Sequence, residues 1–466
     1  METVDKRQRA LLAQPPAPPP AEDAADPVAA VFGNVDLLRE ILLLLDAPSR
    51  LIRAALVSTR WHDAARDPAF LRRFRARCPP ALLGFFAAFG QGTLWPLAAP
   101  QPKVDVVRFV PLPHPPELDG AARLVGATFN GGAPTDLVVG CRNGRVLVKH
   151  GGRHGKKYSV RTPLRSVALG SVIRRPASFP SRDLITQGVP FAQVELIPFP
   201  GAGGDPRDAD ASTLSAFGET IMMPSRFDST MGKFIQQVVY VRRQTRGWAT
   251  HVSPPLELPV PVVFHREPCS LLVGGRWLCM TTVLGCIVVF DLATETFSVV
   301  SFPDGVTVSC VELDILDHTL ARAGDTGIYL VHAKGVELHV WFRRMDGGAA
   351  GIWERVETVY LPMLFGDLVA MKIWDYLVSR NAKLVDVDHF YVWDLEYGVE
   401  VHDVVGDDAE FVFLTVAKHG PVFLLDVKKR KVEKVLQTCG DGRQLCGISA
   451  FMMPWPPVFP ALSQRG

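Results

Sequence analysis

Leucine and isoleucine recur at helical spacing near the N-terminus, between residues 37 and 45. The apolar positions that share this spacing are Leu37, Leu38, Ile41, Leu42, Leu44 and Leu45. Because residues three and four apart lie on one face of a helix, the pattern predicts an amphipathic helix with Asp36 as its N-cap. The segment Asp46-Ala47-Pro48-Ser49 interrupts the pattern and predicts the start of a second helix.

Further helices are predicted between this break and residue 77. The second helix carries apolar residues at helical spacing, namely Leu51, Ile52, Ala55 and Leu56. A third segment holds Trp61, and Asp67-Pro68 is typical of an N-cap followed by a proline in the first helical position. The fourth helix then places Phe70, Leu71 and Phe74 on one face. A unit of three or four short helices buries little surface, so we expect it to present an apolar face to another molecule.

The pattern changes beyond about residue 100, where short β-branched and aromatic runs alternate with Gly, Pro, Asn and Asp. The clearest hairpin lies at 137–148, where Asn143-Gly144 separates two apolar runs. Asn-Gly favours a type I′ turn because both central residues of that turn need a positive φ. Further hairpins are predicted at 237–252, 275–300, 327–342 and 410–435.

One short phrase occurs twice in this region. Residues 290–297 and 425–432 both open on an apolar residue, an aspartate and a second apolar residue, and both end on an apolar residue. Residues 392–395 repeat the opening. Each copy predicts a strand that ends at the aspartate, a polar turn and a second strand. Hairpins that recur in this way predict a β-propeller of about six to eight blades, with a pair of β-sandwiches as the structural alternative.

Composition adds a tail and an ordinary globular balance. The chain has 466 residues, of which 48% are apolar and 21% charged, so it has material for a core. It contains 38 Pro and 39 Gly, as expected of a chain with many turns. Prolines concentrate at 15–27 among alanine and acidic residues, and this predicts an extended tail over residues 1–30.

Charge and hydropathy argue against nucleic acid and membrane as partners. Lys plus Arg total 50 and Asp plus Glu total 48, so the net charge is only +2, without the basic excess of a dedicated DNA binder. The longest apolar candidate, 278–290, falls short of the roughly 20 residues that a membrane-spanning helix needs. The first residues lack the apolar run of a secretory signal. We therefore expect an intracellular protein, in the cytoplasm, the nucleus or both.

No catalytic residue, metal site or cofactor is predicted. The eight cysteines include no Cys-x-x-Cys pair, and the twelve histidines are dispersed. Neither Gly-x-Ser-x-Gly nor His-Glu-x-x-His occurs. The basic run Lys428-Lys429-Arg430-Lys431 is interpreted as a solvated turn between two strands, with a nuclear-import signal as the alternative.

The helical segment resembles an F-box. The residues that occupy the positions of the family pattern are Leu38, Ile41, Leu42, Leu45, Leu51, Val57, Trp61, Asp67, Pro68 and Phe70. Two departures from the pattern occur: Gly33-Asn34 replaces the Leu-Pro opening, and Ser58 replaces a cysteine.

The remainder resembles the F-box-associated β-propeller of large plant F-box families, through residues 288–297, 336–341 with Trp353, and 422–426. The expected fold is a small N-terminal helical F-box module followed by a mostly β, propeller-like domain, an α+β multidomain chain. The expected boundaries are a tail at 1–30, an F-box module at 31–78, a linker at 79–104, a propeller at 105–455 and a C-terminal tail at 456–466.

The resemblance implies a non-catalytic adaptor. It implies that the F-box docks on the Skp subunit of a Skp–cullin–F-box ubiquitin ligase, a cullin–RING ligase, while the propeller holds a protein target for ubiquitination. The residues that it implies for docking are Leu38, Ile41, Leu42, Leu45, Leu51, Val57 and Trp61, and it assigns no target-binding residue. The alternative is a propeller scaffold with a vestigial F-box that is not coupled to ubiquitination.

Eight arginines and only two aspartates lie between Arg50 and Arg77. Such a stretch suits an acidic partner and would speed the encounter more than it tightens the complex. A solvated helical face is the alternative interpretation of the same charges.

Overall fold

The computed structural model of the chain shows two compact units. One unit extends to Cys78 and also includes the segment from Pro457, and the other runs from Pro79 to Pro456. The structure describes residues 34–91, 104–129, 136–142, 144–150, 157–164, 171–174, 192–197, 216–222, 226–228, 233–236, 238–244, 247–252, 254, 256–258, 270–274, 276–281, 285–306, 317–324, 326–345, 351–369, 373, 397–406, 408–417, 420–437, 443–457 and 459. The predicted tail at 1–30 lies outside the described residues.

The first unit contains four described helices, as the apolar spacing predicted. They are α1 (Val35–Leu43), α2 (Pro48–Ala55), α3 (Thr59–Arg66) and α4 (Pro68–Arg77). Helix α3 contacts the other three helices, and α1 also contacts α4. The module is therefore organised around α3.

Side-chain caps fix where three of these helices begin, and the caps of α1 and α4 bear on the sequence-based predictions. Asn34 Oδ1 accepts the backbone N–H groups of Asp36 and Leu37 at 2.9 and 3.3 Å, so Asn34 is the N-cap of α1. The prediction that Asp36 caps this helix is wrong. Asp36 lies in the first turn instead, where its carboxylate interacts favourably with the helix dipole. Asp67 caps α4 as predicted, because its Oδ1 accepts the Phe70 N–H at 2.8 Å.

The second unit is mostly β. Its strands are β1 (Leu82–Gln91), β2 (Val104–Pro111), β3 (Asp136–Arg142), β4 (Arg145–His150), β5 (Lys157–Arg161), β6 (Ser171–Arg174), β7 (Ala192–Ile197), β8 (Ala216–Met222), β9 (Arg226–Asp228), β10 (Lys233–Gln236), β11 (Val238–Gln244), β12 (Gly247–Val252), β13 (Leu256–Leu258), β14 (Ser270–Val273), β15 (Trp277–Thr281), β16 (Cys286–Asp291), β17 (Thr296–Ser301), β18 (His318–Ala323), β19 (Gly327–Lys334), β20 (Glu337–Arg344), β21 (Trp353–Tyr360), β22 (Tyr397–Val405), β23 (Phe411–Ala417), β24 (Val422–Asp426), β25 (Lys431–Leu436) and β26 (Arg443–Met452). Two helices, α5 (Asp119–Phe129) and α6 (Leu361–Phe365), and two short 3-10 turns, Pro116–Leu118 and Gly366–Leu368, complete the described elements.

Five antiparallel sheets of four strands form the blades. Their strands are β3 to β6; β7, β8, β11 and β12; β14 to β17; β18 to β21; and β22 to β25. Each blade follows the chain as a meander, so local hairpins build it. The long connection between β8 and β11 carries β9 and β10, which pair with β13 in a separate three-stranded sheet.

A further sheet of three strands, in the order β2-β1-β26, completes the ring. The first strands of successive blades contact one another in the order β3, β7, β14, β18 and β22, and β26 contacts both β22 and β3. This closed circuit shows a propeller and excludes a pair of sandwiches, in which sheets stack face to face.

Strand β1 lies in the segment 79–104 that was expected to be a linker. It is the central strand of the closing sheet and pairs along its length with both β2 and β26. The physical reason is its apolar side chains on both faces: Phe85 contacts Phe413, and the Phe86 ring lies 4.6 Å from that of Phe129. Residues 82–91 of this segment therefore fold as part of the propeller.

The core of this unit lies between neighbouring sheets. One apolar cluster joins the blade of β14 to β17 with that of β18 to β21, and a second joins the latter with the blade of β22 to β25. A third lies between that last blade and the closing sheet, which contributes Phe85, Ile448 and Ala450. A fourth joins the closing sheet, α5 and the first blade. In each of these four clusters, both neighbouring sheets contribute apolar side chains.

The predicted hairpins form. Strands β3 and β4 pair up to Arg142 and Arg145 across a two-residue loop, and Gly144 has a φ of +68° as a type I′ turn requires. The other hairpins appear as β11–β12, β15–β17, β19–β20 and β23–β25.

The repeated phrase has the same backbone conformation in both copies. Strands β16 and β24 end at Asp291 and Asp426, and β17 and β25 begin five residues later. The fourth residue after each aspartate is left-handed, Glu295 with a φ of 57° and Arg430 with a φ of 51°. The partial copy at 392–395 lies outside the described residues.

Asp403 joins the last blade to the closing sheet. Its Oδ2 accepts the N–H of Ala450 on β26, and its Oδ1 accepts that of Val404, both at 2.9 Å. Burial raises the pKa of Asp403 to about 6, although both hydrogen bonds oppose that shift.

Gly144 is expected to tolerate no side chain. An added Cβ would lie 2.9 Å from the Cβ of Pro454 on a backbone with positive φ, so Gly144→Ala should lower the free energy of unfolding by about 1–2 kcal/mol. Urea denaturation of the full chain measures this. Gly140→Ala, on the same hairpin, is the control, because an added Cβ there meets no described atom within 4 Å. Equal effects of the two substitutions would contradict the prediction.

The contribution of Asp403 to the free energy of unfolding is expected to depend on pH. Its folded-state pKa of about 6 lies above the ordinary 3.8, so its contribution to stability is fully present below 3.8 and is lost as the pH rises through 6. Asp403→Ala should therefore lower the free energy of unfolding by about 1 kcal/mol more at pH 5 than at pH 7.5. The exposed Asp408→Ala, measured at both pH values, is the control. A larger loss at pH 7.5 than at pH 5 would refute the expectation.

Candidate docking surface of the helical module

Ten apolar side chains hold the helical module together. They are Leu38, Leu42, Leu43, Leu51, Ala55, Ala64, Ala65, Phe70, Leu71 and Phe74, all buried. The rings of Phe70 and Phe74 lie 5.8 Å apart on α4, one turn from each other. The module thus has a core of its own, built from all four helices.

The residues implied for docking divide into three groups by exposure. Leu38, Leu42 and Leu51 are buried in the core of the module. Ile41, Leu45 and Trp61 are half-buried, and Val57 is 67% exposed. The structure therefore places only part of this set at the surface of the chain.

Helix α1 presents a second apolar face that points outward. Leu37, Ile41 and Leu44 follow one another at i, i+4 and i+7, so they form one row along the helix. Leu44 is 72% exposed, Leu37 is exposed to a lesser degree and Ile41 is half-buried. Val35, in the first turn, is also exposed.

The turn between α2 and α3 adds two more exposed apolar side chains, Leu56 and Val57. The Leu56 N–H donates to the Arg53 carbonyl at 3.2 Å and the Val57 N–H to that of Ala54 at 3.1 Å, which extends the last turn of α2 through both residues. Ser58 then caps α3, accepting the Trp61 N–H at 3.3 Å. We call Val35, Leu37, Leu44, Leu56 and Val57 the apolar surface of the module.

The sequence contained one signal for this surface. Helix α1 is apolar on nearly all sides, whereas a helix that covers a small core needs one apolar stripe. The spacing shows that two rows exist, Leu38 with Leu42 and Leu37 with Leu44. It does not show which of them the other helices cover, and for that reason Leu37, Leu44 and Leu56 were missed as docking candidates.

Ion pairs neutralise most carboxylates of the module. Arg39 lies 3.4 Å from Asp36 and 3.2 Å from Asp67, Arg50 lies 3.0 Å from Asp46, and Arg73 lies 2.8 Å from Glu40. Residues 34–78 hold nine arginines against five acidic residues, so the module is basic although the whole chain is nearly neutral.

The C-terminal segment contributes an aromatic ring to this unit. The Phe459 ring lies 6.1 Å from the His62 ring at an angle of 77°, an edge-on contact. His62 is buried on α3, and its Nε2 has no hydrogen-bond partner among the described residues. Part of the segment that was expected to be a C-terminal tail, 456–466, is therefore packed against the helices.

The basic run at 428–431 forms the turn between β24 and β25, as predicted, and its cations are paired. Lys428 lies 2.8 and 2.7 Å from Asp408 and Glu410, and Lys429 lies 2.9 Å from Asp426. The remaining pairs are Arg430–Glu357 and Lys431–Glu433. Hydrogen bonds to both acids raise the pKa of Lys428. This turn is held by ion pairs of the propeller itself.

Exposed apolar side chains of the propeller concentrate in one stretch of the described residues. They are Ile352, Val356, Tyr360, Met363 and Leu368, from just before β21 to just after it, and Leu124 on α5 is the one further example among the described residues. Helix α6 buries Leu361 and Phe365 and leaves Met363 82% exposed. Met363 is therefore a surface position whose substitution leaves the core intact.

Within the described ranges, no group of three or more His, Cys, Asp or Glu side chains is arranged to hold a metal ion. The helices of the same ranges are all too short or too polar to cross a bilayer.

Two protein families match the chain. The F-box domain matches residues 34–73, which cover α1 to α3 and the first half of α4. The family described as "F-box protein AT5G49610-like, beta-propeller" matches residues 137–459, from β3 to beyond β26. No curated protein matches the chain.

Two solved structures that match the chain are each 11% identical to it. Apo AztD from Citrobacter koseri matches with a TM-score of 0.25, covering 69% of this chain, and the chain spans 63% of that protein's length. The Cps50 (Swd1) beta-propeller domain from Myceliophteria thermophila matches with a TM-score of 0.33, covering 66% of this chain and 75% of that one.

F-box and β-propeller domains are typically non-catalytic adaptor modules, and the matches include no catalytic domain. F-box domains in general bind Skp subunits, and propellers bind substrates. With four N-terminal helices followed along the chain by a closed ring of sheets, the chain belongs to the family of F-box proteins that carry an AT5G49610-like β-propeller.

Proposed function

We propose that this protein is the substrate-recognition adaptor of a Skp–cullin–F-box ubiquitin ligase. In this proposal the helical module binds the Skp subunit and the propeller holds a target protein, which the ligase then modifies for degradation. The observation that carries the proposal is the apolar surface of the module, which lies within a segment that matches the F-box domain.

The apolar surface supplies the free energy of docking. Fully burying a Leu or Val side chain contributes roughly 1.5–3 kcal/mol, and the five side chains are between 39% and 72% exposed. Their burial against apolar partner helices therefore contributes several kcal/mol, of which part is offset by the loss of translational and rotational freedom. Half-buried Ile41 lies in the same row of α1 as Leu37 and Leu44 and extends this surface.

The buried leucines act through the shape of the module. Leu38, Leu42 and Leu51 are in its core, so their substitution with polar residues would unfold the helices rather than remove a contact. The residues implied for docking therefore have two different roles. Val57 contacts the partner, whereas these three leucines hold the helices in position.

The start of α1 supports docking over the alternative of a vestigial F-box. The family's Leu-Pro opening is replaced in this chain. Asn34 nevertheless caps α1 with two hydrogen bonds, and the helix begins at the next residue, Val35. The row of Leu37, Ile41 and Leu44 is consequently present.

The test is a binding titration of the purified full chain against the purified Skp subunit. A double variant with Leu44→Asp and Val57→Asp should bind at least about tenfold more weakly, because a loss of about 1.4 kcal/mol changes an equilibrium constant tenfold. Both side chains are exposed, so the variant should unfold at the same urea concentration as the native chain.

Met363→Asp is the matched control, since it introduces a charge at an equally exposed apolar residue of the propeller. It should leave the affinity unchanged. If the native chain fails to bind the Skp subunit, the adaptor function is refuted and a scaffold that acts without ubiquitination takes its place. Equal weakening by the control would refute the assignment of the surface.

A further inference from the structure

The chain that follows β26 makes a series of contacts in order along its length. The Met453 N–H donates to the Ala81 carbonyl at 2.9 Å, directly after the pairing of β26 with β1. The Met453 side chain packs into the apolar cluster of the closing sheet, α5 and the first blade. Pro454 lies against the turn between β3 and β4, where a Cβ added to Gly144 would come 2.9 Å from the Pro454 Cβ. The start of this segment is therefore fixed at the closing sheet.

The far end of the same segment lies in the helical module. Pro457 is buried, and the Phe459 ring lies edge-on to the His62 ring of α3, with 6.1 Å between the ring centroids. His62 is only 8% exposed, and α3 contacts each of the other three helices. The segment therefore ends at the central helix of the module. We call residues 453–457 and 459 the strap.

Prolines stiffen the strap. Three of the five residues 453–457 are prolines, Pro454, Pro456 and Pro457. Their rings hold φ at about −65°, so a segment rich in proline acts as a semi-rigid spacer. Trp455, among these prolines, is 7% exposed and fixes the segment further. A short, stiff connection of this kind keeps Phe459 at a high effective concentration for its contact with α3.

The helical module is small enough for such a contact to matter. Its four helices have 9, 8, 8 and 10 residues, and isolated helices shorter than about 12–15 residues are marginal in water. A unit of this size also buries only a modest apolar surface. Contacts from outside the four helices therefore contribute a substantial share of the stability of the module.

We propose that the strap couples the stability of the helical module to the closure of the propeller ring. Met453 is held in place only when β26 pairs with β1, because its hydrogen bond to Ala81 continues that pairing. A strap fixed in this way presents Phe459 to α3, whereas an open ring leaves Phe459 on an unfixed segment. The module thus reaches its full stability only in chains whose ring has closed. The consequence for docking rests on the proposed function, since a chain with an open ring would then present loosened helices to the ligase.

The experiment measures hydrogen exchange of the purified full chain by mass spectrometry, in peptides that span α3. Phe459→Ala should raise the exchange rate in α3 about tenfold, because it removes a half-buried ring and its edge-on contact with His62. Exchange in the blade of β18 to β21 should stay at the native rate. Native exchange of α3 in this variant would overturn the proposal.

Phe297→Ala is the matched control, because it truncates another half-buried phenylalanine, on β17 in the third blade. The Phe297 ring packs on that of Phe290 at 4.4 Å. This variant should raise exchange in its own blade and leave α3 at the native rate. If it accelerates α3 as much as Phe459→Ala does, the effect is a general loss of stability and the proposal is wrong.

A second variant tests the connection itself. Two glycines inserted between Pro456 and Pro457 keep every residue of the strap but make it longer and more flexible, which lowers the effective concentration of Phe459. Exchange in α3 should then rise about threefold. If Phe459→Ala accelerates exchange in α3 and the insertion does not, Phe459 is a local packing residue and coupling through the strap is refuted.

This test is independent of the proposed function, because it uses the chain without a partner. Failure of the native chain to bind the Skp subunit refutes the adaptor function and leaves the strap as it stands. Native exchange in both strap variants refutes the strap and leaves the adaptor function as it stands.

Discussion

The closing of the ring is the constraint on which the propeller depends. A blade has apolar side chains on both faces, so each sheet needs a neighbour on each side. Strand β26 meets this need at the end of the circuit by contacting both β22 and β3, and β1 and β2 complete its sheet. Residues that are far apart along the chain thereby form a single sheet. The apolar clusters at the first and the last blade both depend on this sheet, because it contributes side chains to each of them.

The helical module is limited by its size, since it has few apolar residues with which to build a core. It uses leucine for two purposes. Leu38 and Leu42 hold α1 against α3 and α4, while Leu37 and Leu44, one position away on the wheel, remain at the surface. Packing within the module and docking to a partner thus use adjacent rows of one helix. A substitution in the buried row should therefore lower the stability of the module, whereas one in the exposed row should weaken docking.

The sequence predicted the turns and helix caps well, but it did not predict the sheet that closes the propeller ring. The Asn143-Gly144 turn, the Asp67-Pro68 cap and the repeated aspartate turns follow from short-range rules, and the structure shows them. Strand β1 was missed because it lacks the alternation of a half-buried strand, and its partner β26 lies at the other end of the domain. The exposed leucines were missed because spacing identifies shared faces but not which face other helices cover. Asn34 displaced Asp36 as a cap because it lies where the backbone is still extended.

The pairing of β1 with β26 also sets the order of events while a ribosome makes the chain. Strand β1 leaves the ribosome early, with Phe85 and Phe86 on its two faces, and β26 emerges only after every four-stranded blade has been made. At a synthesis rate of about 5–20 residues per second, the intervening segment takes on the order of tens of seconds. During that time the apolar strand pairs only with β2 and leaves one edge open. Until β26 has been made, one edge of this apolar strand is therefore available for pairing with other chains.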